Sequence, residues 1–128
     1  MIRRTVLAIL LTSLVVGCSS RFHDKRNETL EVGAVVDYAI PATGQARSIH
    51  VTATVVGGPV DVYVYLADDQ DEAQRMITLG KPSDTFLTSS EATNNVDVTA
   101  EIPPNQEAFV TVRTAGREES QLELTMSD

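Results

Sequence analysis

The sequence predicts an all-β domain, an antiparallel β-sandwich of about seven short strands. Three observations predict it. Apolar residues alternate with polar ones at a period of two in successive runs, the pattern of strands that bury one face. Turn signals rich in glycine and proline separate these runs at Pro41-Ala42-Thr43-Gly44, Gly57-Gly58-Pro59 and Pro103-Pro104-Asn105-Gln106. No long helical period appears in this part of the chain, so the inner faces of the strands have to be buried against a second sheet.

The elements follow in order. Val36, Tyr38 and Ile40 alternate with Asp37 and Ala39, and after the first turn Ile49, Val51, Ala53 and Val55 alternate with His50, Thr52 and Thr54. Beyond Gly57-Gly58-Pro59, Val60, Val62, Val64 and Leu66 alternate with Asp61, Tyr63 and Tyr65. Residues 68–76 have the composition of one or two helical turns, with Asp69 as N-cap and Glu72 as its capping-box partner three residues on. Gly80-Lys81-Pro82-Ser83 ends that segment; residues 85–88 read as a short strand and residues 89–95 as a polar loop. The period of two returns with Val96, Val98, Ala100 and Ile102, then with Ala108, Val110 and Val112. After a hairpin loop at residues 115–119 it ends with Leu122, Leu124 and Met126.

The N-terminus is of another kind. Arg3 and Arg4 precede an apolar run at residues 5–16, the length of a signal-peptide core. It is short of the roughly 20 apolar residues that a membrane-spanning helix needs. The run ends in Val15-Val16-Gly17-Cys18, and Cys18 is the single cysteine. These four residues resemble the lipobox of bacterial lipoproteins. The resemblance implies that residues 1–17 are a helical signal peptide, cleaved before a Cys18 that is diacylated on sulfur. It also implies that the chain is held in the cell envelope by this lipid anchor. Two acyl chains suffice for stable anchoring where one gives marginal binding. In the sorting pattern that this resembles, an aspartate after the cysteine retains the protein in the inner membrane, so Ser19 implies the outer membrane. The organisation expected is a signal peptide at 1–17, a lipidated polar tether at 18–28 and the sandwich at 29–128. With Cys18 acylated no thiol remains for a disulfide or for catalysis.

Loss of residues 1–17 leaves 111 residues and, with Arg3 and Arg4 gone, moves the formal charge from −8 to −10. So acidic a chain is not built for nucleic acid, whose affinity comes from Lys and Arg on phosphates.

Residues 35–126 are similar in layout to the pre-peptidase C-terminal type of domain, on four stretches. These are Tyr38-Ala39-Ile40 running into the turn at Gly44; Ile49-His50-Val51-Thr52-Ala53; the "D-x-Y" strand Asp61-Val62-Tyr63; and the proline turn at Pro103-Pro104 leading to Val112. The aromatic–glycine pattern usual before the late strand is replaced by Glu107-Ala108-Phe109. The resemblance implies a jelly-roll-like sandwich without catalytic function.

Candidate chemistry is sparse. Asp68, Asp69, Asp71 and Glu72 crowd one loop, and an oxygen-only set of this kind suits Ca²⁺. No cofactor is predicted beyond that calcium, and an acidic loop capping a helical turn is the simpler account. Tyr63 and Tyr65 share a strand face with Asp61, a strip able to stack on sugar or receive a partner; cross-strand packing accounts for it more simply. His23 and His50 are far apart in sequence, and no serine-hydrolase, zinc-protease or phosphate-loop motif is present. The sequence therefore predicts a lipid-anchored, non-enzymatic envelope domain. It would serve as an accessory module for another protein or a surface polymer, with calcium or carbohydrate binding as the rival reading.

Overall fold

The computed structural model describes residues 22–128. The expected signal peptide at residues 1–17 and the expected lipidation site at Cys18 lie outside the described residues. Eight strands form: β1 (His23–Leu30), β2 (Val35–Ile40), β3 (Arg47–Gly57), β4 (Val60–Leu66), β5 (Phe86–Thr93), β6 (Asn95–Ile102), β7 (Ala108–Thr114) and β8 (Ser120–Ser127). A 3-10 turn (Ala67–Asp69) and one helix, α1 (Gln70–Leu79), lie between β4 and β5. The strands make two four-stranded sheets, ordered β1-β8-β3-β6 and β2-β7-β4-β5. Every pairing is antiparallel. Eight strands shared between two sheets in this order are a jelly roll.

The main core fills the space between the sheets. The residues that alternate inward in the sequence meet there: Ile40, Ile49, Val51, Val62, Val64, Val110, Val112, Leu124 and Met126 are all inaccessible to solvent. Burying each such side chain contributes about 1.5–3 kcal/mol. The period of two thus converts directly into sheet faces, one inward and one outward.

Two segments depart from the expectation. Residues 23–28, expected to belong to a solvated tether, are strand: β1 pairs with β8 from His23↔Ser127 to Leu30↔Ser120. The sandwich therefore begins at residue 22 or 23 rather than at 29. β1 hides from a periodicity search because it is an edge strand with a single fully buried residue, Leu30. Its charged residues Lys25 and Arg26 are of the kind that protects an edge from further pairing. Phe22 packs against the main core, beneath the guanidinium of Arg47. The second departure is β5, which extends to Thr93 through the expected polar loop. Its register with β4 shifts twice, between Val60 and Val62 and between Val64 and Tyr65. Such bulges break strict alternation.

Helix α1 ends in a Schellman motif. Gly80 takes φ +68°, its N–H bonds the Ile77 carbonyl at 3.0 Å, and the Lys81 N–H bonds the Met76 carbonyl at 3.0 Å. Asp69 is the N-cap residue, but its side chain makes no capping bond. Among the described residues no helix is long and apolar enough to cross a membrane.

Candidate functional site

β4 lies inside its sheet, between β7 and β5, and is buried on both faces. Its inward valines join the main core. Its outward tyrosines lie beneath α1, which presents the i, i+4 pair Ala73 and Ile77. Tyr63, Tyr65, Ala73 and Ile77 form a second core, flanked by Phe86 and Phe109. Tyr63 and Phe86 stand with ring centroids 4.9 Å apart, and Tyr65 and Phe109 at 6.0 Å.

The expected strip of Asp61, Tyr63 and Tyr65 is therefore corrected: these side chains are 6%, 2% and 0% exposed, and no open stacking surface remains on them. The physical reason is α1. A period-two strand announces one buried face, and the cover of the other face lies in a different element.

Polar groups link helix and sheet. Gln74 donates to the Tyr65 hydroxyl at 2.6 Å. The hydroxyls of Tyr65 and Thr111 are 2.7 Å apart, and Thr111 donates to the Asp37 carboxylate at 2.6 Å. Thr111 has a single hydroxyl proton, so Tyr65 is the donor in their bond and the chain runs one way, from Gln74 to Asp37. Beside it, Asp61 accepts the Arg113 Nε–H at 2.9 Å and the Ala92 backbone N–H at 2.7 Å. Arg113 Nη1 donates to the Ile77 carbonyl at 2.6 Å, placing a cation at the negative end of α1. Burial is the largest single influence on the Arg113 guanidinium and pulls its pKa down, but the bond to Asp61 and the attraction of Tyr63 and Asp61 together outweigh it, and the net shift is upward. Burial, aided by the bond to Glu91, pushes the Tyr63 phenol up. Burial pushes Tyr65 up as well. All these groups hold one another, an arrangement that fixes α1 to the sheet.

The acidic loop divides. Asp68 and Asp69 fall in the 3-10 turn, and Asp71 and Glu72 in the first turn of α1. Glu72 faces Arg75, which bonds both of its oxygens at 2.9 and 3.0 Å. Among the described residues no group of three or more His, Cys, Asp or Glu is placed to hold a metal ion. The two histidines are closer than their sequence positions suggest. His23 and His50 both pair with Ser127, from opposite sides of β8. His50 Nε2 lies 2.6 Å from Asp97, and both side chains are exposed.

The residues that the sequence did not single out are Asp37, Gln74, Thr111 and Arg113. They sit on three different elements, and nothing in the local sequence marks them.

No protein-family model and no curated protein matches the chain. Among solved structures it is similar to the pre-peptidase C-terminal domain of a collagenase from Bacillus anthracis, at 11% identity and a TM-score of 0.59, over 81% of this chain and 88% of that one. It is also similar to the Yersinia pseudotuberculosis-derived mitogen, at 7% identity and 0.52, over 84% and 86%. A third is a periplasmic inhibitor of g-type lysozyme from Aeromonas hydrophila, at 10% identity and 0.52, over 84% and 86%. At these identities the likeness is one of fold.

Proposed function

We propose that this chain is a lipid-anchored accessory module of the cell envelope, without catalytic function, that acts by binding another protein. The lipobox at residues 15–18 supports the anchor, and Ser19 supports the outer membrane. The single observation that carries the reading is how little chain lies between Cys18 and the sandwich. The main chain of Phe22 is already tied to the C-terminus, its N–H to the Asp128 carboxylate at 3.0 Å and its carbonyl to the Asp128 N–H at 3.2 Å. Four residues of extended chain span at most about 14 Å. An acylated Cys18 therefore seats the domain directly on the bilayer, with the Phe22–Asp128 end down. The periplasmic lysozyme inhibitor among the fold neighbours fits the same compartment.

The experiment is fractionation with radiolabelled palmitate. The parent protein incorporates label and sediments with membranes, and Cys18→Ser loses both. Crosslinking of the anchored protein then captures a protein partner. A Cys18→Ser variant that stays membrane-bound refutes the anchor, and a parent protein that crosslinks to no other protein refutes the accessory role.

A further inference from the structure

The loop that joins α1 to β5 stands between two adjoining clefts. One, of about 330 Å³, is lined by Tyr63, Phe86, Thr88, Ser89 and Glu91 with the start of the loop. The other, of about 460 Å³, is lined by Glu72, Met76, Asp84 and Thr85. Pro82 and Ser83 line both. No lysine or arginine lines either cleft, whereas three carboxylates do: Glu72, Asp84 and Glu91, all exposed. Glu72 is already engaged by Arg75, which leaves Asp84 and Glu91 to attract a cation.

The floor is apolar. Phe86 is half-buried against the Tyr63 ring, and Met76 is half-buried on the other side of the loop. Glu91 does not swing freely, because the Tyr63 hydroxyl donates to its carboxylate at 2.9 Å. Two of the exposed large apolar residues are chain neighbours of the clefts, Leu79 before Gly80 and Leu87 after Phe86. β5 is also the outermost strand of its sheet and pairs with β4 alone, so one of its edges has no partner strand among the described residues.

We propose that this junction is a docking surface for a basic, extended segment of a partner protein. The segment adds to the free edge of β5 and sets a lysine or arginine side chain against Glu91, over Phe86. Strand addition satisfies the main-chain groups of edge and ligand together, and the alternate side chains give specificity. A cation between a carboxylate and an aromatic face gains from both. Charge complementarity selects a basic partner: the chain carries a formal charge of −8, and the field of an acidic protein speeds the arrival of a basic one. Tyr63 acts as a positioning residue that holds Glu91 toward the cleft. The proposal rests on the accessory reading above for the partner's being a protein.

The test is an NMR titration of the full chain in detergent micelles with acetyl-Val-Arg-Val-Arg-Val-amide, and with the peptide carrying glutamate in place of arginine. The expected result is saturable shifts at residues 82–91 with the arginine peptide alone. Glu91→Gln weakens binding at least fivefold, Tyr63→Phe weakens it less while the dispersed spectrum persists, and Glu118→Gln, in the β7–β8 loop, leaves it unchanged. Shifts spread equally over the acidic segments at 68–72 and 118–119, or binding undiminished in Glu91→Gln, overturn the proposal. A partner crosslinked in the anchored protein solely at other surfaces overturns it too, while leaving the accessory reading intact.

Discussion

Asp61 and Arg113 are directly opposed in the β4–β7 register, and Arg113 donates its Nε–H to the Asp61 carboxylate at 2.9 Å. Through this one pair four elements are joined. The second oxygen of Asp61 holds the Ala92 N–H of β5, and the second arm of Arg113 holds the last turn of α1 at Ile77. The pair lies beside the second core, with the Arg113 guanidinium over the Tyr63 ring, Asp61 nearly sealed and Arg113 about a quarter exposed.

Removing one partner strands the other. Asp61→Ala leaves the arginine and the Ala92 amide without their acceptor, and the expected loss is on the order of 3 kcal/mol, reduced by the partial exposure of Arg113. Arg113→Met costs less in the Asp61→Ala background than alone. Lysine at position 113 recovers only part, because it cannot reproduce the two-armed geometry. Urea midpoints of the four variants check this, and a double variant that loses the full sum of the single losses contradicts it.

Ala92 has φ +51°, in the left-handed region where a non-glycine side chain costs about 1–2 kcal/mol. Its N–H bond to Asp61 holds it there. Ala92→Gly is therefore expected to leave stability unchanged or to raise it by up to about 1 kcal/mol, and Ala92→Val to lower it by more than 1 kcal/mol. Melting curves decide between these outcomes.

All three tyrosines of the chain, Tyr38, Tyr63 and Tyr65, have phenols held above their ordinary value. Burial is the largest cause in each, with a bond to Glu28 adding to it at Tyr38 and a bond to Glu91 at Tyr63. A raised acid keeps its proton in the folded state and loses it more easily when unfolded. The associated stability is present below the unfolded tyrosine pKa of about 10 and falls as pH rises above it. Tyrosinate absorbance is expected to stay low above pH 10 and to appear together with unfolding. Tyr63→Phe flattens the alkaline loss. Ordinary titration of all three in the folded protein contradicts this.

The sandwich was legible because six of its strands, β2, β3, β4, β6, β7 and β8, carry apolar residues at i, i+2 and i+4, and glycine and proline stand between them. β1 was not, since an edge strand stabilised mainly by backbone pairing to β8 has no need of alternation. Its charges read as solvent-exposed chain because on one side they are. The Asp61–Tyr63–Tyr65 segment was picked out as notable, yet its role was misplaced. Tyrosine is amphipathic, and only the position of α1 decides whether the ring meets solvent or Ile77. The Asp61–Arg113 pair joins residues 52 positions apart. Spacing along the chain cannot announce such a contact without strand order and register.

Calcium is expected to leave the acidic segment unaffected. Asp68, Asp69, Asp71 and Glu72 are divided between a 3-10 turn and a helical turn, and Glu72 is paired with Arg75. Millimolar Ca²⁺ should move the melting midpoint no more than Mg²⁺ at equal ionic strength, and equally in Asp69→Asn/Asp71→Asn. A calcium-specific rise that this double variant abolishes contradicts the expectation, because a ligand that binds the folded state alone raises the midpoint.

The most direct measurement is the mass of the N-terminal tryptic peptide of the membrane-extracted protein. Residues 1–17 are expected to be absent, and the peptide Cys18-Ser19-Ser20-Arg21 to carry a diacylglyceryl group on its first residue. A chain that retains residues 1–17, or a Cys18 with a free thiol in the membrane-bound protein, would contradict this expectation.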